Sequence, residues 1–166
     1  MKLWILAFVA AMILGVYSVP TFYEAGIQKR VIKTARAMTK DLIETRFLCL
    51  SQGTEYKVTF VAEGRSGYNI YNNGKLVKTV YLDQIGSDVV FSSLFNDGDL
   101  VFNPVRDPNA AIPDDHYSIF INDRTKESKK DMSSIIQIYI NKNTYEVKLF
   151  RLYSIRDNSD LIFKEL

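Results

Sequence analysis

Between Leu3 and Val19 the stretch MKLWILAFVAAMILGVYSVP carries no charged residue, and that run limits what the chain can become. About 17 residues in a row, at roughly 1.5 Å of helical rise each, reach the short end of a hydrocarbon core. Lipid offers backbone amides no partner, so a helix, which bonds them internally, is the shape such a run takes. Trp4 and Tyr17 stand near its ends, where aromatic rings favour the headgroup layer. The side chains expected to face lipid or neighbouring helices are Leu3, Trp4, Ile5, Leu6, Phe8, Val9, Met12, Ile13, Leu14, Val16, Tyr17 and Val19. Pro20 is the expected bend. The competing reading is a cleaved secretory signal, with Lys2 as its charged start and Val16 and Ser18 at its exit. The length of the run, and the helical pattern that resumes after Pro20, favour a retained helix.

From Glu24 to about Leu50 the period is helical. Ile27, Val31, Ala35, Met38 and Leu42 share one face, which Ile43, Phe47 and Leu50 are expected to widen toward the C-terminal end. Lys29, Lys33, Arg36 and Lys40 run along the opposite side, and Ser51, Gln52 and Gly53 supply a stop. The two halves read as one long rod. Beyond Gly53 the period becomes two. Strands are expected at 56–62, 68–71, 75–82, 88–92, 100–103, 117–121, 134–141 and 144–152. Asn72-Asn73-Gly74 marks a tight hairpin, because both turn residues tolerate positive φ. Turns are also expected at Gly64 to Gly67, Asn96 to Asp99 and Lys142-Asn143, with an irregular stretch from Pro104 to Asp115. The tail, apolar at Leu161, Ile162 and Phe163, is expected to add an edge strand or cover the core. Short strands joined by hairpins make antiparallel sheet, and its apolar face needs the helix as cover. The fold class is therefore α+β: a long N-terminal helix, transmembrane then amphipathic, packed on antiparallel β-sheet. Its parts are a membrane or filament-core helix at 1–20, an amphipathic helix of the globular head at 21–52, and a β domain at 53–166.

Such a plan, from apolar helix through proline and amphipathic half-helix to β domain, resembles type IV pilins and type II secretion pseudopilins. Within them it looks most like the GspH/FimT minor group. Leu82-Asp83-Gln84-Ile85-Gly86-Ser87-Asp88-Val89-Val90-Phe91 resembles that group's lead into a buried strand, and Leu100-Val101-Phe102-Asn103-Pro104 its phenylalanine-x-proline strand end. His116 to Asn122, Ile136 to Asn141 and Thr144 to Val147 resemble its closing strands. The resemblance implies a non-enzymatic minor pilin or pseudopilin that assembles through its apolar helix. It would sit single-pass in the inner membrane with the β domain outside. Partners would be other pilin subunits and the membrane, with a secreted protein or DNA as further partners. With Pro20 matched to the family's kink proline, Leu3 stands where the family carries glutamate. The basic residues after the run, Lys29, Arg30, Lys33, Arg36 and Lys40, outnumber Lys2 before it, and the positive-inside rule favours the opposite orientation.

Three constellations invite chemistry. The basic stripe Lys29, Lys33, Arg36 and Lys40 suits DNA phosphates, acidic headgroups or acids of a neighbouring subunit, and a plain solvated face is the commonest use of such a row. Asn96-Asp97-Gly98-Asp99 and Asp114-Asp115-His116 are oxygen-rich, but neither supplies the six to eight ligands that calcium takes, and Asx-Gly turns account for them. The single cysteine, Cys49, and single histidine, His116, are the one nucleophile–base combination available. Cys49 falls near a helix C-terminus among Phe47, Leu48 and Leu50, the wrong end for lowering a thiol pKa. With a net charge of only +2, the whole-molecule field selects no polyanion. No phosphate-binding glycine loop, paired-acid motif or serine-hydrolase elbow is present. The expectation is a protein without catalytic residues, metal or cofactor. Two alternatives remain: a membrane-anchored β module that binds a partner without polymerising, and a DNA-uptake pilin using the basic stripe.

Overall fold

The computed structural model describes residues 2–61, 65–86, 89–93, 99–105, 116–123, 135–141, 145–154 and 161–166. Side chains are described within these from residue 23 onward, except at 89–93, 116, 152–154 and 161–163. The first element is one helix, α1, Lys2–Gln52, of 51 residues. At about 1.5 Å per residue it is roughly 75 Å long. It runs through Pro20 without leaving the helix, although the proline has no N–H to give the carbonyl one turn back. It stops where Gly53 takes φ +62°, a left-handed step that a side chain resists. The apolar run Leu3 to Val19 lies in the part of α1 whose side chains fall outside the described residues. Among the described residues no helix is long and apolar enough to cross a membrane.

Among the described residues nine strands follow: β1 Tyr56–Val61, β2 Gly67–Asn72, β3 Lys75–Tyr81, β4 Val89–Ser93, β5 Asp99–Phe102, β6 His116–Asp123, β7 Ile136–Asn141, β8 Val147–Ser154 and β9 Leu161–Glu165. They form two antiparallel sheets, in keeping with the antiparallel pairing expected. One has the order β3-β2-β1-β5 and the other β4-β6-β7-β8-β9. The chain passes from the first sheet to the second for β4, returns for β5, and leaves again. β4 and β5 are therefore not partners, although only residues 94–98 separate them. Partner choice follows side-chain fit instead. The register Tyr56↔Phe102 and Val58↔Leu100 gathers four buried residues on one face of the first sheet. In the second, Ile119↔Ile138 and Ile121↔Ile136 stack four buried isoleucines. Burying each such side chain contributes about 1.5–3 kcal/mol.

A short helix, α2 Leu82–Ile85, breaks the chain between β3 and β4. The strand expected to include Leu82 ends at Tyr81, because Leu82 is fully buried and its N–H reaches the carbonyl of Ser66 at 3.0 Å. β8 also starts later than expected, at Val147. Tyr145 takes φ +52° and donates its N–H to the carbonyl of Asn141 at 2.7 Å, an α-turn rather than strand. The turn residues Lys142-Asn143 lie outside the described residues, as do Gly64, Asn96 to Gly98 and most of Pro104 to Asp115.

Strands of both sheets pack on α1. Ile27, Val31, Ala35, Met38 and Leu42 are all 0% exposed, so this stripe is the helix's contribution to the core. The expectation that Ile43, Phe47 and Leu50 widen it is wrong: they are 50%, 68% and 55% exposed. The buried stripe stays in phase through Thr45 and Cys49, three and seven residues past Leu42. Residues 43, 47 and 50 lie about 100° to 160° round the helix from that line and face solvent.

Candidate functional site

What fixes the orientation of α1 is a series of polar contacts along its inner side. Asp123, fully buried at the end of β6, meets the Arg30 guanidinium at 3.2 Å and takes its own N–H to Asn122 Oδ1. Asp41 accepts Tyr68 Oη from β2 at 2.7 Å and Lys78 Nζ from β3 at 2.8 Å on both carboxylate oxygens. Burial, then the hydrogen bond to Asp41 and its charge, pushes the Tyr68 hydroxyl far above the ordinary tyrosine pKa. Arg46 donates to the Tyr145 carbonyl at 3.1 Å, and the Tyr145 ring packs on Phe102, centroids 5.3 Å apart. Gln52 Oε1 receives Tyr56 Oη at 3.0 Å. These grips reach both sheets, so the outer face of α1 has one fixed aspect.

That outer face is a single row. Lys29, Lys33, Arg36 and Lys40 are exposed, and the same alternation of four and three residues continues through exposed Ile43, Phe47 and Leu50. The four sequence-predicted cations are thus brought onto one line, and the structure adds the three apolar residues that the sequence reading assigned to the core. The spacing itself is the signal that was available. A row repeating every 3.5 residues drifts only about 20° per seven residues on a helix, so it stays on one side. With the described residues, Lys29, Lys33 and Arg36 make no ion pair, while Lys40 approaches Glu44 at 3.7 Å, both largely exposed. Such a pair contributes about 0–1 kcal/mol and leaves the charge available. Ala25, Gln28 and Ile32 line an open groove of about 540 Å³ beside Lys29, Lys33 and Arg36.

The remaining candidates have other uses. Cys49 is 1% exposed and directs Sγ at the Phe102 carbonyl at 3.2 Å; burial, the largest effect, pushes its thiol pKa up, the reverse of an activated nucleophile. His116 opens β6, and its side chain lies outside the described residues. Among the described residues no three metal-ligating side chains converge. Of the two oxygen-rich runs, Asp99 is described, and it meets Lys57 at 3.0 Å; Asn96, Asp97, Gly98, Asp114 and Asp115 lie outside the described residues. The membrane-helix residues from Leu3 to Pro20 are on α1, with side chains likewise outside.

Two exposed features went unread in the sequence. Arg65 forks onto Asp83 at 2.7 and 3.1 Å and stacks over Tyr81 at 4.0 Å, which holds the Asp83 carboxyl below the usual carboxylate range. The edge strand β3 shows Leu76 and Val77 at 52% and 57% exposure, but a bulge opposite Ile70/Tyr71 and the flanking Lys75 and Lys78 break its outer edge. Bulges and lysines are devices that keep an edge from pairing. The α1 row is the stronger candidate. No family model matches this chain, and neither a curated protein nor a solved structure matches it.

Proposed function

We propose that the chain is a membrane-anchored filament subunit of the minor pilin or pseudopilin kind, in which α1 both anchors and assembles. The observation that carries this reading is the unbroken helix Lys2–Gln52, which joins the apolar run to the sheet-packed half with no intervening loop. A rod of this kind moves its β domain and its apolar segment as one body. In lipid, helices associate through close packing rather than hydrophobic drive, and Ala7, Ala11 and Gly15 recur at the four-residue spacing that permits it. The apolar halves would pack side by side, first in the inner membrane and then in a filament. The two sheets would be displayed outside for contacts with other subunits or a secreted protein. No group here has a catalytic assignment in this scheme.

The second reading is an anchored module that never polymerises, favoured by Leu3 at the position where the family's assembly acid falls. Intact mass of the protein extracted from its native membrane, followed by shearing of cells, separates the cases. Retention of residues 1–20 with recovery in the sheared filament fraction supports the subunit. Retention without recovery supports the module. A mass lacking everything before about Val19 removes the anchor and ends both.

A further inference from the structure

We infer that the exposed row of α1 is a seam for a second, acidic helix of a different protein, and that it rejects another copy of this chain. The row has two unlike halves. Its first four positions are cationic and its last three apolar, with no break in the alternating spacing. Four-and-three spacing is that of a helix side meeting another helix. A duplex nucleic acid or a lipid surface would use the basic half alone and leave Phe47, 68% exposed, in water. Lipid has a further difficulty of reach: Lys29 lies ten residues, about 15 Å, past Val19 along the helix, and Lys40 about 30 Å. A helix with Asp or Glu at the first four matching positions and apolar residues at the next three satisfies both halves at once.

A second copy fails in the three arrangements that bring the basic half of the row into the contact. Aligned in parallel, four cations face four cations. Slid by fourteen residues, Lys29, Lys33 and Arg36 lie against Ile43, Phe47 and Leu50. Turned antiparallel, Lys40 faces Lys40 while the other cations again meet the apolar half. Charges placed against like charges or against apolar surface are how an interface excludes a wrong partner. The parallel direction of the acidic helix, and with it the acid-then-apolar order of its sequence, rests on the anchored-subunit reading above; the matching of acids to the basic half and of apolar residues to the apolar half does not.

The test uses the full chain in detergent micelles and two labelled synthetic helices that share the apolar seam, one with Glu and one with Lys at the four preceding positions. Fluorescence anisotropy at low salt is expected to give the Glu helix about ten-fold tighter binding, shrinking as salt is raised. Lys33→Glu with Arg36→Glu reverses the preference, and Phe47→Ser weakens the Glu helix about five-fold or more. Circular dichroism checks that both variants keep the helix. Equal binding of the two helices, no binding of either, or self-association that Phe47→Ser abolishes each overturns the inference. So does a 20-base-pair duplex that binds tighter than the Glu helix. The charge preference without recovery in sheared filaments sinks the filament proposal and leaves the seam standing. Recovery without the preference does the reverse.

Discussion

Replacing Tyr68 by phenylalanine should make the chain less stable at neutral pH and, relative to wild type, less sensitive to alkali. Tyr68 is 1% exposed, and its hydroxyl donates to Asp41 at 2.7 Å. Losing a hydrogen bond to a charged acceptor costs about 1.5–3 kcal/mol, and the lower figure applies because Lys78 still satisfies both Asp41 oxygens. The folded state holds the Tyr68 proton far more tightly than the unfolded chain, whose tyrosine titrates near 10.0. A raised folded pKa gives stability that is complete below about pH 10 and is lost as pH rises beyond it. At pH 11 ionisation lowers the unfolded state by about 1.4 kcal/mol while the folded state gains almost nothing. The gap between wild type and Tyr68→Phe, about 1.5 kcal/mol at pH 7, should therefore nearly close at pH 11. Urea unfolding of both proteins at pH 7, 9, 10 and 11 reads this directly, since other titrating groups are common to the pair. A gap that stays constant across that range would refute the coupling of Tyr68 to Asp41.

Met38→Ala should cost about 2–5 kcal/mol, and Phe47→Ser less than about 0.5, because one is fully buried and the other 68% exposed. Thermal melts of the two variants would contradict the assignment of faces if the order reversed. Gly67→Ala should destabilise by about 1–3 kcal/mol, since its Cβ would stand 2.3 Å from the Val80 carbonyl and force β2 and β3 apart. Near-normal stability in the same assay would show that the two strands separate freely. Cys49 should react with a thiol reagent at least about a hundred-fold more slowly in the folded protein than in urea, given its burial and raised pKa. Equal rates would place the thiol at the surface.

Periodicity made the elements legible, and it made their partners only partly so. The alternation of Ile136, Ile138 and Ile140 marks β7 as a strand with one buried side, and each is at most 1% exposed. Turn residues specify that the chain reverses, not which strand it will pair with; that is why β4 and β5 were not expected in different sheets. On α1 the misassigned segment is instructive. Thr34, Thr45 and Cys49 are in phase with the buried stripe and lie inside, while the more apolar Ile43, Phe47 and Leu50 are out of phase and lie outside. Counting apolar residues picks the wrong line, and following the 3.6-residue phase picks the right one. The basic half of the candidate seam was visible for the same reason that its apolar half was not: charge announces a solvent face, whereas exposed Phe47 looks like core. The Arg30–Asp123 and Asp41–Lys78 contacts join residues 93 and 37 apart, and no local pattern predicts such pairs.

The excursion of the chain into the second sheet for β4 and back to the first for β5 interleaves the two sheets like laced fingers. Neither sheet can be excised as a contiguous segment: a cut after Tyr81 leaves the first without β5, and a chain begun at Asp99 leaves the second without β4. During synthesis, β1 waits for its second neighbour until Phe102 has emerged, and β4 waits longer, until β6 is made. Melting either sheet drags on a strand whose flanking segments belong to the other, so the β region is expected to unfold in one thermal transition rather than two.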